Sequence, residues 1–193
     1  MTFDPVHDTQ AVHRALVKAF SFPGTPVSIG GPASRSPGGL PSTLGAVALT
    51  LLDAETSFFH SEPRLLTELT GARRRPDDEA AFLVVSEWDE GAWTAAFRRA
   101  HRGTLADPHR GASVVAWAPE SAPGSVWTAS GPGIETPIAL TLPGTDAWVA
   151  ARNEACVEFP LGVDLIWARV DSVVALPRTT RLVPGGPVPG KEG

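Results

Sequence analysis

An arginine followed by two threonines is the part of this sequence best suited to bind a phosphate. The residues are Arg178, Thr179 and Thr180, and they follow a proline at the end of a predicted strand. A guanidinium donates paired hydrogen bonds to phosphate or carboxylate, and the hydroxyls add donors. In this interpretation Asp164 would orient the arginine. In the structural interpretation Pro177 ends the strand and Arg178 only forms an ion pair with a carboxylate such as Asp164. The residue types favour the structural interpretation, because structural ion pairs of arginine are common.

Metal chemistry and thiol chemistry have little support in the sequence. The chain has five histidines: His7, His13, His60, His101 and His109. No two of them have the spacing of a metalloprotease helix, so no metal site is predicted. Cys156 is the single cysteine, and we expect it to be a buried structural thiol.

Two further phosphate or cofactor patterns also fail. Gly185, Gly190 and Lys191 nearly match a nucleotide-binding loop, but Glu192 stands where the pattern needs a serine or threonine. A Schiff-base enzyme needs a lysine in a pocket. Lys18 lies in the first predicted helix and Lys191 in the tail, so we expect no pyridoxal phosphate and no other cofactor.

Composition limits the possible partners and the compartment. The 193 residues include 16 Lys and Arg against 21 Asp and Glu, and this acidic balance argues against a nucleic-acid partner. The first ten residues show no secretory signal, and one cysteine cannot form an intrachain disulfide. The longest apolar run, residues 44–52, is too short to span a bilayer. We therefore expect a cytoplasmic protein with no membrane partner.

The elements that would position these residues follow an α/β pattern. Helices are predicted from an N-cap at Asp8, over 42–52, from Pro63, over 90–103 and over 145–155. Strands are predicted over 25–30, 57–61, 80–86, 112–118, 125–130 and 136–142, and as a closing hairpin within 159–182 that turns at Asp171 and Ser172. Residues 30–39 are a predicted loop, because glycine and proline dominate them.

These elements predict one domain over residues 1–183, with a mixed sheet sandwiched by helices. Residues 184–193 are rich in proline and glycine, and they are predicted to form a disordered tail.

The tryptophans are candidates for the core or for an interface. Trp117, Trp127 and Trp167 lie on predicted strands and are expected in the core. Trp88 and Trp93 flank a predicted turn, so they are the predicted interface residues, because large aromatic side chains are common anchors in interfaces.

The segment FPLGVDLIWARVDSVVALPRTTRL, residues 159–182, resembles a family signature. It is similar to the C-terminal signature of the H subunit of the bacterial carbon–phosphorus lyase core complex, the PhnH family. The matching residues are Phe159, Pro160, Gly162, Asp164, Pro177, Arg178, Thr179 and Thr180. Residues 13–24, 48–59 and 102–115 also resemble the family, so the likeness spans about residues 5 to 182.

The resemblance implies a fold related to the large domain of pyridoxal-phosphate-dependent transferases, without the cofactor. It implies a homodimer when isolated, and a subunit bound to the G, I and J proteins in the assembled complex. With the G, I and L proteins, family members support the displacement of adenine from ATP by methylphosphonate, which forms alpha-D-ribose 1-methylphosphonate 5-triphosphate. The nucleosidase chemistry belongs to the I subunit in this family. We therefore expect a subunit without catalytic residues of its own. The alternative is an enzyme subunit with its own phosphate or phosphonate site at residues 178–180.

Overall fold

The strands form two separate sheets in the computed structural model, which describes residues 2–185. The strands are β1 (Val27–Ser28), β2 (Ser57–Phe59), β3 (Arg73–Arg74), β4 (Phe82–Val85), β5 (Ser113–Trp117), β6 (Gly124–Gly131), β7 (Ile134–Pro143), β8 (Asp164–Ala168), β9 (Ser172–Leu176) and β10 (Arg181–Pro184). The larger sheet has seven strands in the order β1-β9-β8-β5-β4-β2-β3, and only β9 runs antiparallel to its neighbours. The smaller sheet is antiparallel and has the order β10-β6-β7.

The mixed sheet of the α/β prediction is confirmed, but the expectation of one sheet is wrong. Strand β9 is buried at every position, and β8 at four of its five, as is typical of strands covered on both faces. Strand β6 and the second half of β7 alternate between more buried and more exposed positions. One face of these strands meets water, and the other face packs against the larger sheet and its helices. The strands therefore form a second sheet that covers part of the first.

Helices cover both faces of the larger sheet. They are α1 (His7–Ser21), α2 (Gly31–Arg35), α3 (Ser42–Leu51), α4 (Arg64–Thr70), α5 (Glu90–Arg99) and α6 (Asp146–Ala155). One core lies between the sheet and α1 to α4. The other lies between the sheet, α5, α6 and the smaller sheet.

Helix α2 falls inside the predicted loop at residues 30–39, so that part of the prediction is wrong. Gly30 has a φ of 51°, a backbone conformation that favours glycine. Pro32 stands in the first turn of the helix, where a missing N–H costs no hydrogen bond. Ala33 is buried against the core. A segment with a composition typical of loops can therefore form a short helix when tertiary packing stabilises it.

Asp8 lies in the first turn of α1 and is not its N-cap. The carboxylate of Asp4 instead accepts hydrogen bonds from the N–H groups of Val6 and His7, at 2.8 and 2.9 Å. Asp8 is buried and accepts hydrogen bonds from the Asp4 N–H at 2.9 Å and from Arg35 Nε at 2.7 Å. The ion pair between Asp8 and Arg35 therefore fastens α2 to α1.

The end of the described chain overlaps the predicted tail. Pro184, the first residue of that tail, is the last residue of β10, and the Gly185 N–H donates to Val126 O at 2.9 Å. Residues 186–193, including Gly190 and Lys191 of the near-match to a nucleotide-binding loop, lie outside the described residues. No helix within residues 2–185 is long and apolar enough to cross a membrane.

Candidate functional site

The pairing of β8 with β9 brings Asp164 and Arg178 together. Leu165 is paired with Leu176, so the two charged residues lie just beyond this pair, where β8 begins and β9 has ended. The Asp164 carboxylate accepts hydrogen bonds from the Arg178 backbone N–H at 2.7 Å and from Nη2 at 2.6 Å. The ion pair of the structural interpretation is therefore present.

The remaining guanidinium donors of Arg178 bind backbone carbonyls. Nη1 donates to Pro108 O at 2.8 Å, and Nη2 donates to Gly111 O at 3.3 Å. A Cβ on Gly111 would collide with this guanidinium, which explains a glycine at that position. Arg178 thus joins the end of the β8–β9 hairpin to the 108–111 turn, and its donors are mostly used inside the protein.

Gly162 has to be a glycine for two reasons. Its φ of 150° is rare for residues with a side chain. A Cβ would also lie 2.8 Å from the Cβ of Arg178 and 3.1 Å from the Sγ of Cys156. The glycine of the signature therefore allows the loop before β8 to pass close to Arg178.

Arg152 is the residue of this region that the sequence analysis missed. Its side chain on α6 is fully buried, and it donates to the carbonyls of Thr180 at 3.0 Å and Pro177 at 2.6 Å. Nη2 also donates to Leu176 O at 3.3 Å, while Nε has no partner. Within residues 2–185 the guanidinium forms no ion pair.

Burial lowers the pKa of the Arg152 guanidinium, because a low-dielectric interior disfavours the charged form. The carboxylate of Asp164 and the thiol of Cys156 act in the opposite direction. A signal for this residue was available. Trp148, Arg152 and Ala155 share the buried face of α6, so the sequence places an arginine at a core position.

A surface cleft of about 540 Å³ opens beside these arginines. We call it the signature cleft; it is lined by Gly131, Pro132, Asn153, Cys156, Val157, Phe159, Leu161 and residues 178–183. Val157 is 81% exposed and Phe159 is 75% exposed. Cys156 is half-buried and lines the cleft, so the expectation of a buried thiol is wrong. The cleft therefore combines a polar wall that binds the protein's own backbone with a rim of exposed apolar side chains.

Of the predicted phosphate-binding residues, Arg178, Thr179 and Thr180 line this cleft and Asp164 does not, and the guanidinium donors of Arg178 are mostly used within the protein. Thr179 is half-buried, and Thr180 is 2% exposed. The Thr180 hydroxyl is buried and has no hydrogen-bond partner. No three His, Cys, Asp or Glu side chains among the described residues could hold a metal ion together.

Trp93 is not a surface residue, so its assignment to an interface is wrong. It is 0% exposed, and its ring lies edge-on to those of Trp88 and Trp148, at 5.2 and 5.1 Å between centroids. Trp93 lies on the buried, apolar face of α5, so its side chain points into the core. Trp88 is half-buried at the edge of this cluster. Of the three predicted core tryptophans, Trp127 and Trp167 are buried and Trp117 is half-buried.

Residues 2–183 match the family model described as "Bacterial phosphonate metabolism protein (PhnH)". The chain belongs to the PhnH family. A relative from Rhizobium meliloti (strain 1021), the alpha-D-ribose 1-methylphosphonate 5-triphosphate synthase subunit PhnH, is 32% identical over 192 residues, covering 93% of this chain and 92% of the relative. A putative C-P lyase subunit protein, HtxG from Stutzerimonas stutzeri, is 32% identical over 174 residues, covering 90% and 85%. The predicted family resemblance is confirmed.

The structure shows what the individual residues of the family signature contact. Gly162, Asp164 and Arg178 of the signature contact one another or neighbouring backbone, so they shape this part of the fold. Phe159 differs, since its side chain is mostly exposed, and the Phe159–Pro160 peptide bond beside it is cis. The signature thus consists of a partly buried polar part and an exposed aromatic part.

Proposed function

We propose that this chain is a subunit of the carbon–phosphorus lyase system. It supports the formation of alpha-D-ribose 1-methylphosphonate 5-triphosphate from ATP and methylphosphonate in phosphonate catabolism, without catalytic residues of its own. The names of the two relatives support this role, because each is called a subunit and each aligns with at least 90% of the chain. The use of the Arg178 donors within the protein supports a structural signature.

The proposed partners are the G, I, J and L proteins of the same cytoplasmic system, with a homodimer as the isolated form. The exposed rim of the signature cleft is the proposed contact surface. Phe159, Val157 and Val183 are large apolar side chains that are more than half exposed, and exposed apolar groups around an aromatic anchor are typical of interfaces. Trp88 stays a second predicted contact residue.

Co-expression tests the subunit role. This chain would carry an affinity tag, the G and I proteins would be co-expressed without tags, and the eluate would be sized. A stoichiometric complex is the expected result. Elution of the tagged chain alone, with both partners folded in the flow-through, would contradict the proposal.

A phosphate or phosphonate site at Arg178, Thr179 and Thr180, with Asp164 orienting the arginine, is the second candidate function. The charge of Arg152 favours it, since no described carboxylate forms an ion pair with this arginine behind the cleft. An anion in the cleft would offset that charge. Calorimetric titration of the isolated chain with ATP and with methylphosphonate tests this candidate, and an absence of binding would exclude it.

We also propose the fold relationship to the large domain of pyridoxal-phosphate-dependent transferases, which the mixed sheet between helices supports. Lys18, the lysine among the described residues, is exposed on α1, so it offers no pocket for a Schiff base. The absorbance spectrum of the protein mixed with pyridoxal phosphate should therefore lack a protein-bound aldimine band. Such a band would overturn this part of the proposal.

A further inference from the structure

The connections of the larger sheet diverge at the carboxyl ends of β2 and β4. These two strands are parallel neighbours, so their carboxyl ends lie at the same end of the sheet. The chain leaves β2 through α4 towards β3, and it leaves β4 through α5 towards β5 on the other side. In open α/β sheets, ligands bind in the crevice at such a point. The side chains that follow β2 and β4 are therefore candidates for chemistry.

A serine and a histidine meet at this point. Ser86 follows β4 and is half-buried, and His60 follows β2 and is 5% exposed. The Oγ of Ser86 lies 2.9 Å from Nε2 of His60. A hydroxyl within hydrogen-bond distance of an imidazole is the arrangement of a nucleophile and its general base.

The backbone of Glu62 contacts the other nitrogen of the histidine ring. Nδ1 of His60 lies 2.9 Å from the carbonyl oxygen of Glu62 and 3.0 Å from its backbone nitrogen, so both tautomers of the ring have a partner. With the proton on Nδ1, the ring donates to the carbonyl and Nε2 accepts from the Ser86 hydroxyl. In that tautomer His60 is able to take the serine proton, and the carbonyl orients the base as the third group of a hydrolase triad does.

Ser86 lines a second cavity, of about 350 Å³, between α5 and the larger sheet. The volume is within the range of small-molecule sites. Phe59 and Val85 supply apolar surface from the sheet, and Ala92 supplies a small side chain from α5. The cavity therefore has room for a small apolar group beside the serine.

The charged residues of the second cavity favour an uncharged substrate. Glu87 and Asp89 line it and are exposed, and their carboxylates repel anions. Arg99 also lines it and is exposed, but its Nε is paired with Oδ2 of Asp77 at 2.6 Å. An ester with a short apolar acyl group agrees with both the volume and the charges.

Backbone N–H groups beside Ser86 are available to stabilise an oxyanion. Within residues 2–185, no hydrogen bond uses the N–H of Glu87, the residue after the serine. In α/β-hydrolases the N–H of the residue after the nucleophile is an oxyanion donor. The first turn of α5 also lines the cavity through Ala92, and the N-terminal end of a helix stabilises negative charge.

We propose that Ser86 and His60 form a catalytic pair that hydrolyses small, uncharged carboxylic esters. Oγ of Ser86 attacks the carbonyl carbon of the ester while its proton passes to Nε2 of His60. The bond to the leaving alcohol then breaks, and the alcohol takes this proton. Water, deprotonated by His60, hydrolyses the acyl-serine, which releases the carboxylic acid and restores the hydroxyl. This activity is separate from the synthase reaction, for which the chain is proposed to have no catalytic residues, and it does not depend on the assembly.

Hydrolysis of p-nitrophenyl acetate by the full chain tests the proposal, with the release of p-nitrophenol followed by absorbance. The folded wild type should hydrolyse the ester faster than the urea-unfolded chain does, and Ser86→Ala should lower the rate to that of the unfolded chain. His60→Gln keeps a polar side chain but no base, so the rate should fall about a hundredfold. Ser61→Ala is the matched control and should keep the wild-type rate, because Ser61 lines the same cavity but forms no hydrogen bond with His60.

Covalent labelling identifies the nucleophile. Phenylmethanesulfonyl fluoride should attach one sulfonyl group to the wild type with loss of fluoride, and peptide mass spectrometry should locate the group on Ser86. Ala95→Phe should abolish labelling and hydrolysis by filling the cavity, and because Ala95 is exposed the thermal midpoint should stay close to that of the wild type. The proposal is overturned if the folded wild type is no faster than the unfolded chain, if the label lies on another residue, or if Ser86→Ala keeps the wild-type rate.

Discussion

The signature cleft and a second cavity, of about 350 Å³ between α5 and the larger sheet, differ in how their polar groups are used. At the signature cleft, Arg178 in the wall and the buried Arg152 behind it donate to Asp164 and to five backbone carbonyls. In the second cavity, Nε2 of the buried His60 lies 2.9 Å from the Oγ of Ser86, and Nδ1 lies 2.9 Å from the carbonyl oxygen and 3.0 Å from the backbone nitrogen of Glu62. The recognisable sequence motif thus stabilises backbone, while the polar pair of the second cavity has no recognisable motif around it. Residues that mark a family can therefore be residues that stabilise its fold.

The largest expected effect is on the signature side, from Arg152→Leu. The substitution leaves two buried carbonyls and one partly buried carbonyl without this donor. We expect the free energy of unfolding to fall by about 3–5 kcal/mol, and the thermal midpoint to fall by roughly 10 °C. Urea unfolding and a thermal melt followed by circular dichroism measure both. Arg181→Leu, exposed on β10, is the matched control and should change the stability by less than about 0.5 kcal/mol. Equal effects of the two substitutions would remove the special role of the buried arginine.

Arg178→Ala should have the next largest effect. It breaks the partly buried pair with Asp164 and releases the 108–111 turn, so we expect a loss of about 2–3 kcal/mol in urea unfolding. Arg178→Lys keeps the charge but loses the planar fork, so its free energy of unfolding should lie between those of the wild type and Arg178→Ala. Arg64→Ala breaks an exposed pair with Glu68 and should change the stability by no more than about 0.5 kcal/mol. If Arg178→Ala is as stable as the wild type but loses ATP binding, the phosphate interpretation replaces the structural one.

A smaller, pH-dependent effect should come from Asp8, which lies in neither cleft. Hydrogen bonds from Arg35 and from the Asp4 N–H lower the pKa of Asp8 from 3.8 to about 2. Because the folded pKa lies below the unfolded one, the ionised carboxylate stabilises the fold above pH 3.8, and this contribution is lost as the pH falls through about 2.

Urea midpoints of the wild type and of Asp8→Asn at several pH values test this linkage. The wild type should be the more stable protein at about pH 6, and the difference should shrink as the pH approaches that of the folded pKa. A difference that stays constant over this range would show that the carboxylate does not titrate with folding.

The sequence predicted the parts of the fold that depend on local pattern. The apolar stripe of α1, the buried helix α3 and the uniformly apolar β4 are found where expected. Helix α2 was not predicted, because its stability comes from Arg35 and Ala33 packing onto α1 and α3, which no local composition reveals. The separation of β6, β7 and β10 into a second sheet also depends on long-range pairing.

The candidate sites also depend on long-range pairing that local sequence patterns do not reveal. The pair of Asp164 and Arg178 was one of two interpretations that the sequence left open, and hairpin register brings the two residues together. His60 and Ser86 are 26 residues apart and meet only because β2 and β4 are neighbours in the sheet. Trp93 was misplaced, because a tryptophan next to a turn can point either way until the packed face of α5 is known.

The proposal that the chain joins its assembly through the exposed rim of the signature cleft is tested most directly by a matched pair of surface variants. Phe159→Ser and Phe22→Ser each remove a phenylalanine that is more than half exposed, and only the first lies in the cleft. Each variant would be tagged and co-expressed with the G and I proteins, and its thermal midpoint would be measured separately. We predict that Phe159→Ser keeps its thermal midpoint and loses its partners, while Phe22→Ser keeps both. Co-purification of undiminished amounts of both partners with Phe159→Ser would contradict the proposal.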